Sequence, residues 1–216
     1  MSKQLFLFRD QFESAWYKGF LSSDDIRSRL RSNPTHRDTK EFRGLFRVSF
    51  DIFEQLVQLY VVNDWYDSTR RDTRGVLCSD LELLILGSLF ILGNGSSTRW
   101  ILQNGTNIDK EVHRLFFRSF VANISSIKSH YISMPSTVEE LRFVEKSYAE
   151  LGLIGCCGSI DIVHVGWDAC PKHLIHVYKG KESYPSIAYE VIVNQRREIM
   201  SVSDGHPGAR NDKHIC

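Results

Sequence analysis

The chain has 216 residues, enough for one large domain or two small ones, and 42% of them are hydrophobic. Its 27 lysines and arginines and 26 aspartates and glutamates give a formal net charge of +1. This balance excludes a bulk electrostatic attraction to nucleic acid, so any DNA contact must come from local patches. Five cysteines without metal-finger spacing indicate reduced thiols in a cytosolic or nuclear protein. No apolar run approaches the ~18 residues of a membrane span.

Residues 1–40 predict an N-terminal helical extension. Ser22-Ser23-Asp24-Asp25 has the composition of a helix N-cap, and a pair of helices is expected to end at Asn33-Pro34. The reason is that the residue before a proline avoids helical geometry. The polar stretch 34–44 predicts a linker or an exposed turn.

Residues 41–135 predict a second helical region. Ser49 is expected to cap a helix that ends at Asn63-Asp64. Ser79-Asp80-Leu81-Glu82 has the form of a capping box and should open an apolar helix that runs through Leu92.

Two glycine-containing breaks follow this apolar helix. The first, Gly93-Asn94-Gly95, precedes a short piece at 97–103, and the second is Asn104-Gly105. Thr106 can then cap a longer helix. This order of elements predicts a helix-turn-helix-like part near residues 79–128.

The last of these helices carries a basic stripe. Lys110, Arg114 and Arg118 are four residues apart and share one helix face, with Arg99 nearby. These four residues are the candidate contacts to DNA phosphates. The alternative interpretation is a solvated helix face, since surface stripes of like charge are common.

Residues 136–216 predict a helix followed by a small sheet. Overlapping capping signals at Ser136 and Thr137 predict a helix that ends near Ala149. Apolar runs at 158–165, 186–194 and 198–204 predict three strands in an antiparallel meander.

Asp161 lies in the middle of the first of these runs. The β-branched sequence around it predicts a strand that is buried on both faces. A buried carboxylate requires an arginine or lysine partner, a hydrogen-bonded network or a metal ion.

Three segments of this region together resemble the catalytic domain of Harbinger-type DDE transposases. They are G-S-I-D-I-V-H-V-G-W-D-A-C-P, Y-K-G-K-E-S-Y-P-S-I and H-P-G-A-R-N-D. Each motif alone has low specificity, but their order and spacing match the family. The resemblance covers roughly residues 40–216, more loosely in its upstream part.

The resemblance implies a partial RNase H-like domain at 136–216 and Mg²⁺ (or Mn²⁺) as the cofactor. Asp161 and Asp212 would be the catalytic, metal-binding acids of a two-metal site. His164, three residues along the strand, should point to the opposite face and serve as a core or supporting residue. Glu190 and Asp204 are alternative auxiliary ligands, or simply solvated charges.

The family also implies a third acid, normally glutamate, some tens of residues beyond the second aspartate. The 216 residues end before that position, so we expect a C-terminally truncated domain that is inactive alone. The expected fold is α+β or α/β: a helical, helix-turn-helix-like region followed by a partial RNase H-like domain.

The function implied is metal-dependent DNA cleavage and strand transfer at transposon ends. The alternatives are a non-catalytic DNA- or protein-binding relic and an unrelated metal-dependent hydrolase. The expected location is the nucleus, with the cytoplasm as the alternative. The expected partners are DNA and a Myb-like protein. No contact with a membrane is expected, and the oligomeric state is left open.

Overall fold

The structure of the protein is a computed structural model that describes residues 10–69, 71 and 78–210. The chain divides into two compact units, Met1–Ser125 and Ser126–Cys216. The sequence predicted boundaries at residues 40 and 135, and these stay predictions. The described residues combine helices with a small antiparallel sheet, which confirms an α+β fold.

The described part of the first unit is helical. Its α-helices are α1 (Asp24–Ser32), α2 (Arg37–Phe46), α3 (Phe50–Val62), α4 (Leu81–Asn94), α5 (Thr98–Ile101) and α6 (Lys110–Ser126). A π-helical turn, Leu102–Thr106, continues α5. The predicted order of apolar helix, short helix and longer helix is confirmed by α4, α5 and α6.

Local capping explains where these helices begin and end. The hydroxyls of Ser23 and Ser49 accept the Ile26 and Ile52 N–H groups and start α1 and α3, as predicted. The predicted end of α1 at Asn33 is confirmed as well.

Two predicted caps are wrong by a few residues. Asp80, not Ser79, caps α4, and its carboxylate accepts the Leu83 N–H at 3.0 Å. Thr106 does not cap α6, which begins at Lys110; its hydroxyl instead accepts the Ile108 N–H. In both places several hydroxyl or carboxylate side chains lie close together, and the sequence does not say which one takes the backbone N–H.

The prediction of a linker at 34–44 is also wrong, because residues 37–46 form α2. The buried residues of α2 are Thr39, Phe42 and Phe46, which follow one another at intervals of three and four. That spacing places them on one helix face against the core while the charged residues face solvent. Phe46 lies beyond the polar stretch, so this stripe was hidden by the segment's polar composition.

The first unit is organised around α4. Every residue from Leu83 to Phe90 is buried, because this helix is apolar on all sides and neighbouring helices surround it. Among the described residues, no helix is both long and apolar enough to cross a membrane. Its buried residues make α4 the central core helix of the first unit.

One side of α4 is in close contact with α6. A Cβ added to Gly87 would lie 2.5 Å from His113 Cε1, so only glycine leaves room for the imidazole. His113 is buried, and its Nε2 lies 2.7 Å from the Thr106 hydroxyl oxygen. Burial lowers the pKa of His113 to about 4, so the ring is neutral at pH 7.

The second unit contains a helix and an antiparallel sheet. Its elements are α7 (Val138–Ala149), β1 (Ser159–Gly166), α8 (Ile175–Tyr178), β2 (Ser186–Val193), β3 (Ile199–Val202) and β4 (His206–Pro207). Thr137 and Glu140 form the predicted capping box of α7. The order β1-β2-β3 confirms the predicted meander. The short strand β4 follows β3 after residues 203–205 and pairs with Ile187 and Ala188 of β2.

The prediction that β1 is buried on both faces is wrong. Asp161 is exposed, and Val163 and Val165 remain 48% and 51% exposed. Among the described residues, β1 pairs with β2 and lies at the edge of the sheet. An apolar run indicates that a strand is suited to burial. Whether its faces are in fact buried depends on elements elsewhere in the sequence.

Candidate metal and DNA-binding sites

Asp161 lies near the middle of β1, opposite Val191 of β2. Its Oδ1 accepts the N–H of Ile162 at 2.8 Å, and no lysine, arginine or histidine forms an ion pair with it in the described part of the chain. Because the carboxylate is exposed, the cost of burial does not require a counterion. The interpretation of Asp161 as a metal ligand therefore rests on the accessibility of its carboxylate and on the family motif.

The strand register separates Asp161 from two other polar candidates. Ile162 lies opposite Glu190, and side chains alternate between faces, so Glu190 is on the other face of the sheet from Asp161. His164 is also on that other face, as the sequence predicted. Neither residue is placed to share a metal ion with Asp161.

Asp212, the second predicted ligand, lies outside the described residues, so its approach to Asp161 stays a prediction. The residues just before it are described. The Arg210 N–H donates to Pro207 O at 2.9 Å and closes a turn that reverses the chain. Within residues 10–69, 71 and 78–210, no group of three His, Cys, Asp or Glu side chains could hold a metal ion.

The three motif segments meet at a junction that sequence reasoning missed. His164 Nδ1 of β1 lies 3.0 Å from the hydroxyl of Ser186, which is fully buried at the start of β2. The Gly208 N–H donates to Ser186 O at 2.9 Å. This junction, formed by His164, Ser186, Gly208 and Gly180, fixes residues 206–208, which precede Asp212, against the start of β2.

Glycine is required at two positions of the junction. A Cβ on Gly208 would collide with the Ser186 hydroxyl, and one on Gly180 would collide with the carbonyl of Gly208. Both glycines belong to the quoted motifs. The signal was therefore present in the sequence, but sequence alone did not show that the residues of separate motifs touch.

The basic stripe lies on α6, and its residues are accessible to solvent. Lys110 and Arg118 are exposed and Arg114 is half-buried, while Arg99 is exposed on α5. The buried residues of α6 are His113, Phe116 and Phe120, on the face that contacts the core. The stripe is therefore accessible to a ligand from solvent, as a contact with DNA phosphates requires.

One acidic residue interrupts this stripe. Glu111 accepts hydrogen bonds from Arg114 Nε, at 2.8 Å to Oε2 and 3.0 Å to Oε1, and a further bond from Nη2. Arg114, with help from Arg118 and Lys110, lowers the pKa of the Glu111 carboxyl. The Glu111 carboxylate thus lies among the same positive charges that would contact a DNA phosphate.

Comparisons with known proteins find similarity over the region that contains these motifs. Residues 129–216 match a family model described as plant transposon protein. Over 178 residues the chain is 27% identical to Protein ALP1-like of Arabidopsis thaliana, a match that covers 81% of this chain and 43% of that protein. The chain is related to transposon proteins.

The predicted resemblance to Harbinger-type transposases is thereby confirmed at the level of the family. The matched region contains β1, β2 and the junction. The chain spans about two fifths of the length of the curated relative it matches. No solved structure matches the chain.

Proposed function

We propose that this transposon-protein relative is part of a metal-dependent DNA nuclease of the transposase type. The observations that carry the proposal are the convergence of three family motifs at one junction and an accessible Asp161 on β1, the strand that contributes His164 to that junction. The antiparallel order β1-β2-β3 supports an RNase H-like sheet.

The proposed cofactor is Mg²⁺ or Mn²⁺, held by Asp161 and Asp212. Carboxylate oxygens are the ligands that these hard cations prefer, and Asp161 has a carboxylate that no cation of the described chain occupies. Such an ion, when bound, stabilises negative charge on a phosphate and activates a water or hydroxyl nucleophile. The strand holds Asp161 in a fixed position, and the junction anchors the segment before Asp212.

Metal binding tests this site directly. In a Mn²⁺ titration followed by electron paramagnetic resonance, Asp161→Asn and Asp212→Asn should each weaken binding about tenfold or more. The matched control is Asp168→Asn, which changes an exposed aspartate just beyond β1. Equal Mn²⁺ affinity in the wild type and both site variants would contradict the site. A separate assay tests the expectation that the chain alone is inactive. If the wild type nicks supercoiled DNA and Asp161→Asn abolishes the nicking, that expectation is wrong.

The proposed DNA contacts are Arg99, Lys110, Arg114 and Arg118. Replacing Lys110, Arg114 and Arg118 together by alanine should weaken DNA binding. It should also reduce the slope of log K against log salt concentration by ~0.9 for each phosphate that the variant no longer neutralises. Fluorescence anisotropy with labelled duplex DNA at several salt concentrations measures both effects.

Glu111→Gln provides the matched opposite change on the same helix. It removes the carboxylate that occupies Arg114, so DNA affinity should rise. An unchanged salt slope in the alanine variant would return the stripe to the role of a solvated helix face. DNA binding without metal binding at Asp161 would favour the non-catalytic alternative.

The proposed location is the nucleus, where such DNA contacts would be made, with the cytoplasm as the alternative. The proposed partners are DNA carrying transposon ends and a Myb-like protein. These proposals rest on the family resemblance.

A further inference from the structure

A groove of about 740 Å³ in the second unit lies between the segment 130–144 and the β2–β3 hairpin. Large apolar side chains line it and remain accessible: Met134 and Phe143 are each 52% exposed and Ile199 is 42% exposed. Several accessible apolar side chains in one concave site are typical of an interaction surface. Met134 is also flexible and can adapt to different ligand shapes.

Three carboxylates belong to the same groove: those of Glu139, Glu140 and Glu198. Two of them are held in place. Oε2 of Glu140 accepts the N–H of Ser136 at 2.7 Å, and these capping hydrogen bonds lower the pKa of Glu140. Oε2 of Glu198 accepts the side-chain amide of Asn194 at 2.6 Å. The groove therefore presents negative charge at fixed positions.

One cation of the chain already lies against an aromatic side chain of the groove. The Arg196 guanidinium, from the turn between β2 and β3, lies over the Phe143 ring at 4.7 Å from its centroid. An aromatic face with carboxylates nearby favours arginine and lysine side chains. His130 is the basic residue among those that line the groove.

We propose that this groove docks a basic amphipathic segment of a partner protein. Its large apolar side chains would contact Met134, Phe143 and Ile199, and its lysines and arginines would lie against the glutamates. A DNA backbone does not fit, because its phosphates would meet like charge. The recognition mode is that of an amphipathic segment in an apolar groove with complementary charge at the rim.

The test uses the full chain and a fluorescein-labelled amphipathic peptide made of leucine and lysine. Fluorescence anisotropy should show binding that weakens as salt is added. The double variant Glu139→Lys, Glu198→Lys should weaken binding about tenfold, and Met134→Ser should weaken it with little change in salt dependence. All three positions are exposed, so the variants should fold normally; matching thermal transitions check this.

Two controls separate specific docking from general attraction of opposite charges. Glu150→Lys makes the charge change of one of the two groove substitutions at an exposed position just beyond α7, outside the groove, and should leave binding unchanged. A lysine and serine peptide of equal charge should bind at least about tenfold more weakly, because it lacks the apolar contacts.

Equal binding by the wild type and the double variant would overturn the proposal. So would self-association of the chain, measured by sedimentation, that disappears in Met134→Ser, since the occupant would then be a second copy. Neither result depends on metal or DNA binding, so this inference and the proposed function fail independently.

Discussion

Phe42→Ala should lower the free energy of unfolding of the first unit by about 3–5 kcal/mol. Phe42 is 0% exposed, and its ring centroid lies 4.7 Å from that of Phe46, 5.3 Å from Phe50 and 5.4 Å from Phe20. Truncation removes apolar area from the core and leaves a cavity among rings that cannot all move to fill it. This loss is a large part of the total free energy of unfolding of a typical domain, which is ~5–15 kcal/mol.

Urea denaturation followed by tryptophan fluorescence measures this change. Three of the four tryptophans, Trp16, Trp65 and Trp100, lie in the first unit, so the signal reports mainly on that unit. The matched control is Phe12→Ala, which removes a ring that is 45% exposed and should change stability much less. Similar losses in both variants would show that the α2 face does not form the core contacts described above.

The stability of the first unit should fall by about 3 kcal/mol as the pH decreases from 6.5 to about 4, through protonation of His113 alone. Burial lowers the pKa of His113 from 6.5 to about 4, and Asp109 opposes this effect only partly. Between these values the unfolded chain binds a proton that the folded chain does not, so acid favours unfolding. Below about pH 4 both forms are protonated, and the loss stops growing.

Histidine resonances in nuclear magnetic resonance spectra, followed as a function of pH, measure this pKa directly. Urea denaturation at several pH values measures the free energy, and His113→Gln should remove this part of its pH dependence. His130→Gln changes an exposed histidine and should leave it intact. A pKa of His113 near 6.5 in the folded protein would contradict the prediction.

Much of the helical fold could be predicted because its signals are local. Ser23, Ser49 and Thr137 each accept a backbone N–H from the first turn of the helix they cap, and these positions were read from short segments. The α2 helix was missed because its stripe is completed by Phe46, outside the polar segment. The exposure of β1 was missed because burial depends on other elements.

In the candidate sites, too, the features with local sequence signals could be predicted and the contacts between distant residues could not. The motif order identified the family and pointed to Asp161, and the alternation rule placed His164 on the opposite face. The contact between His164 and Ser186 joins residues from separate motifs, and Glu111 required side-chain geometry before its pairing with Arg114 was visible. The groove of the second unit is formed by the segment 130–144 and the β2–β3 hairpin. These two parts are far apart in sequence, so no single stretch indicated the groove.

The burial of α4 on every side also affects how the protein is made. During synthesis α4 leaves the ribosome before α6, whose Phe116 and Phe120 contribute to the core around it. Until α6 follows, the apolar run Leu83–Phe90 lacks part of its cover and is available to other hydrophobic surfaces. The nascent chain therefore passes through an interval in which chaperone binding competes with aggregation, and synonymous changes that slow translation between residues 95 and 126 would prolong it.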